Sequence, residues 1–158
     1  MQWLYWLILA ASAVHIVEEY SLGFLAWFKR AIPALAPGMT PGWAVVVNTL
    51  FVLLCAWAAI ADRAPTTARL VVPCLVTINA ILHIAMTIRM REYSPGLVSA
   101  CVLYIPLGTM ACAGAIRSGA VEPGNITLAV LGALGLHAAT PLSLRWRVSR
   151  IKASGRTR

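Results

Sequence analysis

Charge is what this chain has least of. Five Asp and Glu residues are spread over 158 positions, and all charged types together make up 11%. A water-soluble domain carries about 25%. With 60% apolar residues and a mean hydropathy of +0.80, that scarcity excludes an ordinary soluble globule and points to a membrane protein. The four cysteines, Cys55, Cys74, Cys101 and Cys112, lie inside apolar runs with no CxxC spacing. This argues against a disulfide framework and makes them small packing residues. No basic stretch precedes Trp3–Ala13, and the apolar run continues past Ala11-Ser12-Ala13, so it reads as a retained helix, not a cleaved signal. Low-complexity tracts, clear internal repeats and a separate soluble domain are also missing.

Five apolar segments are present instead: Trp3–Phe28, Trp43–Ala61, Leu70–Ile88, Leu97–Ile116 and Asn125–Leu144. Each is near the ~20 residues that cross ~30 Å of hydrocarbon. In lipid each must be helical, because an open strand edge would leave backbone groups unpaired. The expected architecture is an all-α polytopic bundle of five transmembrane helices, one domain over residues 1–144. A basic tail over 145–158 follows it. Turn-forming clusters separate the segments, among them Pro33–Gly42 and Pro95-Gly96. Ser21-Leu22-Gly23 offers an earlier stop for the long first segment, which would bring Glu18 and Glu19 nearer to cytoplasmic water.

The net charge of +8 would suggest nucleic acid in a soluble protein. Here Arg145, Arg147, Arg150, Lys152, Arg156 and Arg158 directly follow an apolar segment, so they read as a topology signal, with anionic lipid as the alternative. No nucleic-acid partner is expected. Placing the N-terminus outside puts Lys29, Arg30, Arg89, Arg91 and those six inside, ten cations against Arg63, Arg69 and Arg117 outside. The bias predicts N-terminus out and C-terminus in, in a multi-pass protein of the cell membrane.

Several polar residues lie where lipid should surround them. His15-Ile16-Val17-Glu18-Glu19 falls in the first segment and Asn79-Ala80-Ile81-Leu82-His83 in the third. A carboxylate at mid-bilayer costs about 3 kcal/mol on insertion scales, so these groups need partners or water. Residues three and four apart share a helical face, which lets His15, Glu18 and Glu19 serve one site. Asn48 and His137 come from the second and fifth segments. Counted from the outer ends at ~1.5 Å per residue, all lie ~14–24 Å deep, as one layer.

His15-x-x-Glu18-Glu19, Asn79-x-x-x-His83 and Tyr93-x-Pro95-Gly96, in that order, resemble the HXXEE-motif family of small bacterial integral membrane proteins. The family often has Thr three residues after the Gly; Ser99 stands there and keeps a hydroxyl. The resemblance implies a membrane enzyme of unestablished substrate.

The candidate catalytic residues are His15, Glu18, Glu19, Asn79, His83 and Tyr93. In one reading His15, Glu19 and His83 ligate a divalent metal such as zinc or iron, with His137 as a further ligand and Glu18 as an unligated base. The spacing is that of an inverted zincin motif whose second His has become Glu. In another, a buried Glu and a nearby His carry out metal-free acid–base chemistry, such as isomerisation, cyclisation or hydrolysis, on a lipophilic small molecule entering from the bilayer. A third is a proton-coupled transporter or binding protein, for which five short helices would need a homo-oligomer. The bland alternative is a set of polar groups that glue helices together. Tyr93 is either part of a helix-entry turn with Ser94 as cap, or a hydroxyl closing the mouth of the site.

Overall fold

The computed structural model describes residues 2–155, and Arg156 and Arg158 of the predicted tail lie outside them. The described chain is all-helical. We number its main helices α1 (Gln2–Ser21), α2 (Phe24–Ala31), α3 (Pro41–Ile60), α4 (Thr66–Met90), α5 (Leu97–Arg117) and α6 (Pro123–Gly155). Four regions, Pro41–Ile60, Thr66–Met90, Leu97–Arg117 and Gly124–Ser154, are long and apolar enough to cross a membrane. Counting α1 with α2 as one broken span gives five.

Two boundaries differ from the sequence expectation. The segment 3–28 is not one helix: Gly23 takes a left-handed conformation (φ +72°), and α2 departs from α1 at 72°. Glycine adopts that conformation without the steric cost a Cβ imposes. Glu18 and Glu19 therefore sit in the last turn of α1, directly before the break. At the other end the helix does not stop at Leu144. The apolar stretch and the basic stretch form one helix, with Pro141 inside it, because nothing in Arg145–Ala153 breaks a helix.

Small residues allow the helices to approach closely. Ala11 of α1, Cys55, Ala58 and Ala59 of α3, Ala80 of α4, and Ala100 and Ala111 of α5 are all buried in one cluster with Leu4, Ile8, Val72 and Val76. At Gly108 of α5 a Cβ would stand 2.8 Å from the Pro73 carbonyl of α4, so only glycine fits that crossing. In sequence order, α1 packs on α3, and α4 packs on both α5 and α6. The segment between α2 and α3 docks on α6: Leu35, Met39 and Leu144 form a small core, and Arg147 Nε donates to the Gly38 carbonyl at 3.1 Å. At the opposite end Arg69 donates to the Ala58 carbonyl at 3.1 Å and to Gln2, and stacks on Tyr5 at 4.3 Å.

Inside α5, Ala100–Tyr104 is a π-turn, with Ile105 N–H bonded to the Ala100 carbonyl. It lies just before Pro106, which cannot donate to the preceding turn. The wider register brings Ser99 and Tyr104, five residues apart, against the same imidazole, that of His15.

Candidate functional site

α1 carries His15 and Glu19 one turn apart, and α4 brings His83 to them from across the bundle. All three are nearly buried, at 3%, 8% and 6% exposure. His15 Nε2 and His83 Nε2 each lie 3.5 Å from the same carboxylate oxygen, Glu19 Oε1. One ligating atom from each of the three residues falls within 4.8 Å of the others.

The far side of each imidazole is held by a serine. His15 Nδ1 is 2.9 Å from Ser99 Oγ and His83 Nδ1 is 2.9 Å from Ser94 Oγ. The Ser99 hydroxyl donates to the Gly96 carbonyl at 3.2 Å, so its oxygen is left to accept from His15 Nδ1–H. A neutral His15 then has its lone pair on Nε2, facing Glu19, and the Asn79 amide donates to it at 3.1 Å. A hydroxyl at Nδ1 of each imidazole, with Nε2 turned toward the shared carboxylate, is the pattern by which an outer shell orients ligating imidazoles.

Glu18 has a different job from Glu19. Its Oε1 accepts from the Tyr93 hydroxyl and from the backbone N–H groups of Gly96 (3.2 Å) and Val98 (3.1 Å), and its Oε2 accepts from Ser99 N–H at 2.8 Å. Three of these donors are the orphan N–H groups at the start of α5. Glu18 thus caps α5 from a neighbouring helix, the role an N-cap side chain plays within one chain segment. Three donors converge on Oε1 and one on Oε2, which commits the carboxylate to holding this turn. Tyr93 lies outside the spans and is part-exposed; partial burial, then its bond to the Glu18 carboxylate, pushes its phenol above the usual range.

The predicted residues thus meet in one network: His15, Glu18, Glu19, Asn79, His83 and Tyr93. His137 and Asn48 do not join it. His137 Nε2 bonds the Leu75 carbonyl at 3.2 Å, and both residues line a cavity beside the site. Ser94, Ser99 and Gly96 carry more of the geometry than the sequence assigned to them. The retained hydroxyl at position 99 was the available signal for Ser99. Gly96 (φ +98°) is buried against the cluster.

The residues that converge are those of the three motifs. The chain belongs to the HXXEE family. That family, described as a protein of unknown function with HXXEE motif, matches residues 6–111. In this family member the matched stretch contains the whole His15/Glu18/Glu19/Asn79/His83/Tyr93 network and ends before α6, so His137 lies beyond it. No curated protein and no solved structure matches the chain.

Proposed function

We propose that this HXXEE protein is a membrane-embedded enzyme in which His15, Glu19 and His83 hold one divalent cation, zinc or iron(II), beside a lipophilic substrate that enters sideways from the bilayer. The observation that carries this reading is the shared approach of two Nε2 atoms to one carboxylate oxygen at 3.5 Å. Ligands bound at ~2.1 Å in a tetrahedron stand ~3.4 Å apart. Three protein ligands leave further positions open, as catalytic sites require. A cation there would polarise a substrate oxygen or activate a water.

The route for the substrate is a cavity of about 800 Å³ whose inner corner is formed by His15, Glu19 and Asn79. It lies between α3, which packs on α1, and α6, which packs on α4. Val46 and Leu50 on one lip are 56% and 61% exposed, and Leu136 on the other is 45% exposed. An opening rimmed by apolar side chains between two membrane-length helices admits lipid-soluble molecules. The cation bias supports a plasma-membrane setting with the N-terminus outside.

Asn79 favours a second reading without metal. Its amide occupies the His15 lone pair that an ion would take, which leaves Glu19 to exchange a proton with His83, whose Nε2 faces the same carboxylate oxygen. Metal analysis of protein purified in native-lipid discs separates the two. The metal reading expects about one zinc or iron per chain, lost in Glu19→Gln and His83→Ala. A wild-type protein that holds none and takes up none on dialysis against either ion overturns it. Asn79→Ala keeps its metal if amide and ion compete for one lone pair.

A further inference from the structure

The cavity reaches only part of the triad. His15 and Glu19 line it, and His83 does not. Phe24, the first residue of α2, belongs to both sides. Its ring lies 6.1 Å from the His83 imidazole, centroid to centroid, and it lines the cavity. Buried Trp27 stacks on the same ring at 5.7 Å, and Phe28 flanks it at 6.0 Å. Two features set the angle of α2 and so the place of this ring. At Gly23 the left-handed backbone turns the chain by 72°. At the far end the Arg30 guanidinium meets the Glu92 carboxylate at 2.6 Å. Glu92 directly precedes the Tyr93–Gly96 turn, which holds His83 through Ser94. One ion pair thus ties the helix that carries Phe24 to the turn that orients His83.

We propose that Phe24 is a positioning residue, a partition that shuts His83 off from the cavity, so that a bound substrate meets the triad only along its His15–Glu19 edge. A close-packed phenyl ring excludes water and polar groups from the side it covers. His83 then works from behind, holding the carboxylate oxygen that His15 also faces. Glu19, with Asn79 beside it at the inner corner of the cavity, is left to face the reacting part of the substrate. Closing one side of the cluster fixes the direction of approach, and a fixed direction is what orients a reacting group. The Arg30–Glu92 pair keeps the partition in register with His83. The proposal rests on the cavity as the substrate's route and not on the metal.

The test is acylation of the histidines by diethyl pyrocarbonate in lipid discs, after a chelator has freed the imidazoles, with each site read by peptide mass spectrometry. The reagent transfers an ethoxycarbonyl group to a neutral imidazole nitrogen and releases ethanol and carbon dioxide. His137 lines the cavity and donates from Nε2 to the Leu75 carbonyl, so its Nδ1 is open to attack and it serves as the reference. In wild type His83 should react about tenfold more slowly than His137, because Phe24 must leave its packing to admit the reagent. Phe24→Ala should bring His83 up to the rate of His137, and Phe24→Leu, which keeps an apolar cover, should leave it slow. Arg30→Glu should speed His83 about threefold, as befits an exposed ion pair, and the exchange Arg30→Glu/Glu92→Arg should restore the wild-type rate. His137 should keep one rate throughout. A wild-type His83 that reacts as fast as His137 overturns the proposal, as does one still protected in Phe24→Ala. A rise at both histidines in that variant reports a loosened fold and also counts against it. Arg30→Glu protein as protected as wild type overturns the part given to the ion pair. Metal content, measured on the same samples before chelation, bears on the metal reading alone.

Discussion

Gly96 lies directly against the imidazoles of His15 and His83: a Cβ built on it would stand 2.7 Å from His15 Cε1, 2.9 Å from His83 Cε1 and 3.1 Å from Glu19 Cγ. One glycine therefore touches all three members of the triad. Its φ of +98° adds a second reason for glycine, because residues with a Cβ rarely adopt it. The Pro-Gly turn is the floor on which the cluster rests.

Gly96→Ala should therefore damage the site more than the fold. The added methyl has backbone strain and two rings to contend with, at a cost of about 1–3 kcal/mol. The expected outcome is a lowered melting temperature in detergent together with loss of bound metal. Gly119→Ala, at a similarly positive φ (+66°) but with open space around its Cβ, is the control and should lose stability alone.

The adjacent carboxylates should separate cleanly. Glu18→Gln replaces an acceptor oxygen with a donor that faces backbone N–H groups, and hydrogen bonds to a charged group are worth ~1.5–3 kcal/mol. It should destabilise the protein and leave metal bound in the folded fraction. Glu19→Gln should retain the fold and lose the metal. Thermal melts read beside metal content check both; equal metal loss in the two variants would contradict the division of roles.

Ser94→Ala and Ser99→Ala remove the hydroxyls that orient His83 and His15. Loss of an outer-shell partner costs ~10–100-fold in metal affinity. Competition with a chelator should show a weakening of that order in each single variant. Ser99→Thr, which keeps a hydroxyl at this position, should bind as wild type does.

Cys74 of α4 and Cys112 of α5 have their sulfurs 3.9 Å apart. A lipid-permeant oxidant such as copper phenanthroline should link them within the chain, so that a protease cut between α4 and α5 no longer separates the fragments under non-reducing conditions. Cys55, buried beside Ser12, should not be linked to either.

Much of this was legible in the order of residues. Apolar runs near the length of the bilayer require helices, since lipid offers the backbone no hydrogen bonds. The spacing of His15 and Glu19, and of Asn79 and His83, places each pair on one helical face whatever the tertiary arrangement. The charge asymmetry sets an expected orientation in the same local way. These are properties of single segments, and a sequence reports them directly.

The roles of neighbouring residues were decided elsewhere. Glu18 and Glu19 are chemically alike and adjacent in sequence, yet one caps α5 and the other joins two imidazoles. Only the direction from which α5 and α4 approach α1 makes that difference. The break at Gly23 sets where α1 ends, and the π-turn before Pro106 sets how Ser99 and Tyr104 reach His15. Gly96 matters through atoms belonging to residues 13 and 81 positions away in the chain. Contacts of that kind depend on packing between helices, which helical periodicity does not encode.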